Sequence, residues 1–505
     1  MEMLLGRRDV NLDTADEGGR TPLLLAALNG REKIVRMLLE WNNVNPDTTD
    51  GDGRTPLSWA AAGGHGEIVR MLLERSVVNP DIADDEGRTP LSLAAAPIYD
   101  SSWCPEDSAA RERVVRILLE RNDVNPNSAD ACGQTPLLWA AGNGSEEIVG
   151  MLLERNDVNP NIADEDGRTP LSWAARNVRE EIVWMLLERN DINPDSADGS
   201  GRTPLSWAAV NGGDEIVRIL LGRNDVNPDS ADKSGRTPLS WVAMDGRENI
   251  VRLLLERNDV NPDSADKSGR TPLSWAAMDG REKIVQILLE RNDINPNTTD
   301  ENGRTPLSWV DGPITWLPSS EEGRKEIMKM LLERNDVDPR SADKSGRTPL
   351  SWAAENRHEN ILRMLLVWYG AHPDPGDGGG GTPFPRATES GDEESVDMLL
   401  GKSNASHSAS LGIIQTPFSS VAMLGRVANV DMLPERNNAN PNKADESAQT
   451  QFPGPTENSC EGAVHGRDER HDLDAISQLG EVLFGPFATN PTPLLTPPLK
   501  KIRRF

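Results

Sequence analysis

Apolar and polar positions follow one short pattern that returns along most of the chain. From Thr271, the residues Leu273, Ala276 and Ala277 stand at i, i+3 and i+4 and predict one apolar face of a short helix. Thr271 suits the N-cap, where its hydroxyl accepts a free backbone N–H. Pro272 fits the first helical position, where no N–H is needed. Asp279-Gly280 ends the helix, since glycine adopts positive φ without strain. A second helix is predicted from about Arg281 to Arg291, with Ile284, Ile287 and Leu288 as its stripe and Val285 and Leu289 widening it. Asn295-Pro296 breaks it. The polar run to Asn302-Gly303 predicts a loop or β-turn finger.

The unit repeats. Thr-Pro recurs at Thr21, Thr55, Thr89, Thr135, Thr169, Thr203, Thr237, Thr271, Thr305, Thr348, Thr382 and Thr416, in steps of 34 except 46 after Thr89 and 43 after Thr305. Thr450, one step further, opens a worn copy. Residues 229–262 and 263–296 differ at five positions: Val242/Ala276, Asn249/Lys283, Arg252/Gln286, Leu253/Ile287 and Val260/Ile294. A helix pair this short cannot bury its own stripe, whereas stacking on copies can, so the period predicts stacked units and not separate domains.

The run from Asp266 to Asn295, DKSGRTPLSWAAMDGREKIVQILLERNDIN, resembles the ankyrin repeat, with its D-x-x-G-x-T-P-L-H-x-A-A, glycine turn and V-x-x-L-L elements. The resemblance covers about 2–369 well and 370–452 poorly, and extends to the ankyrin arrays common in filamentous fungi. It implies a right-handed all-α solenoid of helix-turn-helix repeats with β-turn fingers. Three departures stand out. The period is 34 against the usual 33, which predicts one extra residue per finger. Ser58, Ser172, Ser206, Ser240 and Ser274 stand in place of the family's His, removing a side chain that supports the turn by hydrogen bonding. Arg257-Asn258-Asp259 replaces the family's Gly-Ala-Asp.

Four segments are expected. Residues 1–20 align with a second helix and finger only, a truncated unit. Residues 21–369 hold ten repeats, with insertions near 97–108 and 311–320 that separate the two helices of a unit. Residues 370–452 begin as a Gly/Pro linker and continue as degenerate repeats, with Pro385 early in one first helix and Pro434 inside a second. From 453 the chain is Pro-, Gly- and polar-rich, the composition of a disordered tail.

Composition narrows the function. All six Phe lie at or after Phe384, so ordinary globular domains with aromatic cores are not expected over the first 380 residues. Net charge −28 disfavours nucleic acid and anionic lipid and suits a basic partner. The absence of an apolar run near 18 residues predicts no membrane span. Cys104, Cys132 and Cys460 make no disulfide framework, which fits a reducing, cytoplasmic setting; Lys500, Lys501, Arg503 and Arg504 form a weak nuclear signal as the alternative. Gly401-Lys402-Ser403 lacks the phosphate-loop glycine five residues earlier, where Val396 stands. The six His form no i,i+4 pair, and Asp50 and Asp52 lack the closing Glu of a calcium loop. No enzyme, metal or cofactor is predicted.

One feature of the units is distinctive. Trp59, Trp139, Trp173, Trp207, Trp241, Trp275, Trp309 and Trp352 share one register. At ~100° per residue, Trp275 lies about 200° from Leu273. That angle points it away from the second helix, toward the concave side, and predicts a part-exposed stripe of indoles. Trp103 and Trp316 ride on the inserted loops. All ten are candidate partner-binding residues, since Trp is favoured at binding hot spots. The sequence thus predicts a monomeric, non-catalytic protein-interaction scaffold using its concave face and finger tips. The rival reading is the sensing arm of a larger NTPase-type sensor whose catalytic domain lies outside this chain.

Overall fold

The computed structural model describes residues 12–41, 44–96, 108–311, 321–369 and 383–403. The expected truncated helix at 1–11, the inserted loops carrying Trp103 and Trp316, and the tail from 453 lie outside the described residues. Among the described residues there are helices and no strand, and the helices form eleven consecutive pairs from Pro22–Leu28 with Glu32–Leu39 to Pro383–Ser390 with Glu393–Ser403.

In the unit read above, the first helix is Pro272–Met278 and the second is Glu282–Leu289. Thr271 caps the first helix by accepting from the Ser274 N–H at 3.3 Å, with Pro272 as its first residue. Ser274 Oγ lies 3.2 Å from Thr271 Oγ1, so the hydroxyl in the family's His position joins the cap. Asp279 closes the helix and Gly280 takes φ +67° to turn the chain. Leu273, Ala276, Ala277, Ile284, Val285, Ile287 and Leu288 are all buried. Burying each large aliphatic side chain contributes roughly 1.5–3 kcal/mol. Ala276 and Ala277 are fully buried, and their small side chains leave room for close helix packing.

The final pair falls inside the segment read as linker and degenerate repeats. Ala387, Val396 and Leu399 are buried there within the continuous core. Arg363 of the preceding unit pairs with Glu394 at 3.0 Å.

Three polar systems tie each unit to the next. In the fingers, Lys233 N–H donates to the Ser200 carbonyl at 2.8 Å and Lys267 N–H to Ser234 at 2.9 Å. Gly235, at φ +80°, sits so close to the next finger that a Cβ would lie 2.7 Å from the Lys267 nitrogen. Behind the second helices, Arg257 grips its own Asp259 through Nε and Nη2 at 2.8 and 2.5 Å. Its Nη1 donates to the carbonyls of Leu221 and Arg223 in the preceding unit, at 2.9 and 3.0 Å. These are orphan carbonyls near a helix C-terminus, where a cation is favoured. The Arg-Asn-Asp departure from the family pattern is therefore an inter-repeat clamp, and it holds the Asp259 carboxyl below its ordinary range. The third system is a ladder of Asp and Asn after each Asn-Pro. Asp229 accepts from the Asn261 N–H of the next unit at 2.8 Å, and Asn161 does the same for Asn193 at 2.8 Å.

Candidate partner-binding face

The first helices and the fingers share one face, and the tryptophan register lies on it. Its local geometry begins in the finger. Asp232 is buried, and its Oδ1 accepts the N–H groups of Ser234 and Arg236 at 2.8 and 2.9 Å. Its Oδ2 accepts the indole N–H of Trp241 at 3.1 Å. The same Asp-to-indole bond, nine residues apart, occurs at Trp59, Trp139, Trp173 and Trp207 at 2.8, 2.9, 2.8 and 3.0 Å. The next layer is arginine. Arg236 lies 4.6 Å over the Trp241 ring and 5.0 Å over the Trp275 ring of the following unit. Arg202 bridges Trp207 and Trp241 in the same way, at 4.7 and 4.5 Å. Cation–π contacts of this kind are each worth roughly 0.5–2 kcal/mol, more where water is excluded.

This arrangement corrects the expected part-exposed stripe. Trp207, Trp241, Trp275, Trp309 and Trp352 are buried, between 3% and 8% exposed, and only Trp59, Trp139 and Trp173 are half-buried. The helical wheel left out the finger. An arginine five residues before each of these five buried Trp folds back as a roof, and the preceding unit's arginine covers a second edge of Trp207, Trp241, Trp275 and Trp352. The unit of Trp139 has Gln134 in place of Arg, and no arginine lies over that ring among the described contacts.

What the face offers to solvent lies around this floor. Seven residues after the capping Thr stand Gly142, Arg176, Val210, Met244, Met278 and Glu355, all partly exposed, with Ala62 buried in the same register; one further stand Asn143, Asn177, Asn211, Asp245 and Asp279. Met244, Asp245, Met278 and Asp279 are partly exposed, and Lys233, Lys267 and Lys344 are exposed on the fingers. Burial pushes the Asp279 carboxyl up to about 6, against the opposing pull of Arg281, with Asp245 adding to the rise. Asp245 is raised for the same first cause.

Sequence reasoning missed Trp184. It stands on the opposite face, in a second-helix register that elsewhere holds Arg218 or Arg252, and is 51% exposed. With Leu187, Ile219 and Gly222 it lines a shallow cavity of about 380 Å³. The break in the arginine register was the available signal.

Among the described residues, no group of three or more His, Cys, Asp and Glu is placed to hold a metal ion. No helix among them is long and apolar enough to cross a membrane.

A family model for ankyrin repeats (3 copies) matches residues 23–100, 108–198, 190–266, 258–310 and 319–410. The chain belongs to the ankyrin repeat family, a protein-interaction class of domain that is typically non-catalytic. No curated protein matches the chain.

Proposed function

We propose that this chain is a non-catalytic scaffold that holds a protein partner against its first-helix and finger face, the concave side of the array. The observation that carries this reading is a contrast between layers. The Asp, Trp and Arg residues of the floor recur in most units, although the indole N–H of Trp275, Trp309 and Trp352 is buried without a partner, while the side chains standing on it change from Gly142 to Arg176 to Met278. A uniform floor with varied fittings is how a rigid scaffold presents specificity. In this reading Trp59, Trp139 and Trp173 offer ring edges to the partner. Trp207, Trp241, Trp275, Trp309 and Trp352 act beneath the contact, and Trp103 and Trp316 extend it from the inserted loops. A cytoplasmic location belongs to the same reading, with the nucleus as its alternative.

The test starts from a partner captured on the full chain. Glutamate at Lys267, Met244 and Met278 together should weaken its binding at least about tenfold. Glutamate at Arg218 and Arg252 on the second helices should leave it unchanged, with helical circular dichroism intact in both variants. Loss confined to the second-helix variant would place the partner on the other face and end this reading.

A further inference from the structure

We infer that the first-helix face carries an anion-binding notch around Arg168, Arg176 and Arg202, fitted to the carboxylates of an extended acidic peptide. This rests on the proposed docking role of that face. Arg176 is the last residue of the helix Pro170–Arg176 and occupies a register filled by Met244 and Met278 two and three units later. It is the one cation in that register among the units compared above. Its guanidinium lies 5.1 Å over the Trp173 ring and 5.0 Å over Trp207, held between two indoles. Arg168 faces the same two rings at 5.4 and 5.8 Å. Arg202 joins at 4.7 Å over Trp207.

Three guanidiniums thus converge on one pair of indoles, and their carboxylate supply is short. Arg168 pairs with Asp166 at 2.7 Å. Among the described residues Arg176 and Arg202 form no ion pair. The nearby Asp164 and Asp198 are buried and committed: Asp164 accepts the Arg168 N–H and the Trp173 indole N–H, and Asp198 the Ser200 and Arg202 N–H groups and the Trp207 indole N–H. The Nε groups of Arg168 and Arg202 are buried without a hydrogen-bond partner. Burial, and then the charges of Arg168 and Arg202, depress the Arg176 pKa below its ordinary value; Asp166 and Asp198 oppose this more weakly. The uncompensated field at Arg176 is therefore positive, although the whole chain carries −28.

The approach is open. Arg176 is partly exposed, and Gly142, in the same register one unit earlier, puts no side chain beside the Trp173 ring. Asn177 closes the floor by donating to the Gly142 carbonyl at 2.8 Å. A planar carboxylate suits this site because guanidinium groups donate in a fork that matches it. Neighbouring fingers are bonded to each other, so an extended peptide running across them meets the notch without deforming the array. The field changes sign further along: Asp245 and Asp279 hold the register one residue on, and Asp245 also lies in the field of Arg202. That gives an acidic peptide a preferred end.

The test uses the full chain and a labelled peptide of alternating Glu and Gly, with a Gln-for-Glu control. Fluorescence anisotropy should show the Glu peptide binding at least about tenfold tighter than the Gln peptide, and weakening steeply with salt. Arg176→Met should cut that affinity about tenfold while the melting curve is kept, because methionine already fills this register in two other units. Should R176M melt early, Arg176→Gln carries the same comparison. Equal binding of the two peptides, or an unchanged affinity in the folded variant, would overturn the notch. Full displacement by millimolar inorganic phosphate would also overturn it, as the mark of a general small-anion site. If the notch fails while glutamate at Met244, Met278 and Lys267 still releases the captured partner, the docking face stands without it.

Discussion

Asp195, Asp229 and Asp263 occupy the ladder positions that Asn127, Asn161 and Asn297 fill in other units, and the exchange is not neutral. Each asparagine uses its second atom: Nδ2 of Asn161 donates to the Asp191 carbonyl at 2.6 Å, and Nδ2 of Asn127 to Asp157 at 2.6 Å. Aspartate has only oxygen to offer there, and Oδ1 of Asp195, Asp229 and Asp263 is buried without a partner. Burial raises all three carboxyls above the ordinary 3.8, offset in part by the Asn227, Asn261 and Asn295 N–H bonds. The sign follows. The folded state holds these protons more tightly than the unfolded state, so the three groups favour folding at low pH. That contribution is lost as pH rises through their raised values. Changing all three to Asn should therefore stabilise the array at pH 7, by about 1 kcal/mol per site from the regained hydrogen bond. The gain should shrink as pH falls toward 4. Urea melts of parent and triple variant at pH 7, 5 and 4 measure both; a gain independent of pH would show that these carboxylates are not the cause.

At the scale of the element, each unit is a helix pair plus a finger, and the finger decides what the first helix exposes. Trp207 illustrates this. Its helix Pro204–Asn211 is too short to bury an indole, yet Trp207 is 8% exposed because Asp198 holds its N–H and Arg168, Arg176 and Arg202 lie over its ring. Trp207→Ala should cost about 3–5 kcal/mol, the usual loss for a buried aromatic. Trp184→Ala, at a half-exposed position on the opposite face, should cost under about 1 kcal/mol. Chemical denaturation of the two variants separates them. A small loss at Trp207 would show that the arginine roof is open in solution and would restore the exposed stripe.

The described helix pairs form a stack in which each unit touches chiefly its neighbours. Deleting 263–296, one full period, removes a unit nearly identical to its neighbour 229–262, which then takes its place against the unit from 297, so the clamp, ladder and finger bonds can re-form. The shortened chain should keep its helical circular dichroism per residue and unfold at slightly lower urea, as a nearest-neighbour array does. Collapse of the helical signal would mean that the units are not interchangeable. At this scale the joint effect of the Arg257–Asp259 clamps also appears. They tie the ends of successive second helices together, just as the fingers tie the opposite side.

The repeating helix pair was legible without coordinates because its determinants are local. A capping Thr, a Pro that needs no partner, a Gly free to take positive φ and an i, i+3, i+4 apolar stripe act within a few residues, and the period multiplies the signal. The family followed from the same residues. The burial of the tryptophans was not legible, because it depends on Arg236 reaching from one unit over Trp275 in the next, across 39 positions. The clamp was hidden for a similar reason: Arg257 looks like an ordinary surface charge until the Leu221 carbonyl, 36 residues earlier, is seen beneath it. The notch at Arg176 needs three arginines from two units and two indoles, spread over 168–207, brought to one place. Sequence sets what each unit can form alone. Stacking decides which of its polar side chains are spent between units and which remain for a partner, since only the neighbouring unit supplies the charge, carbonyl or ring that completes them.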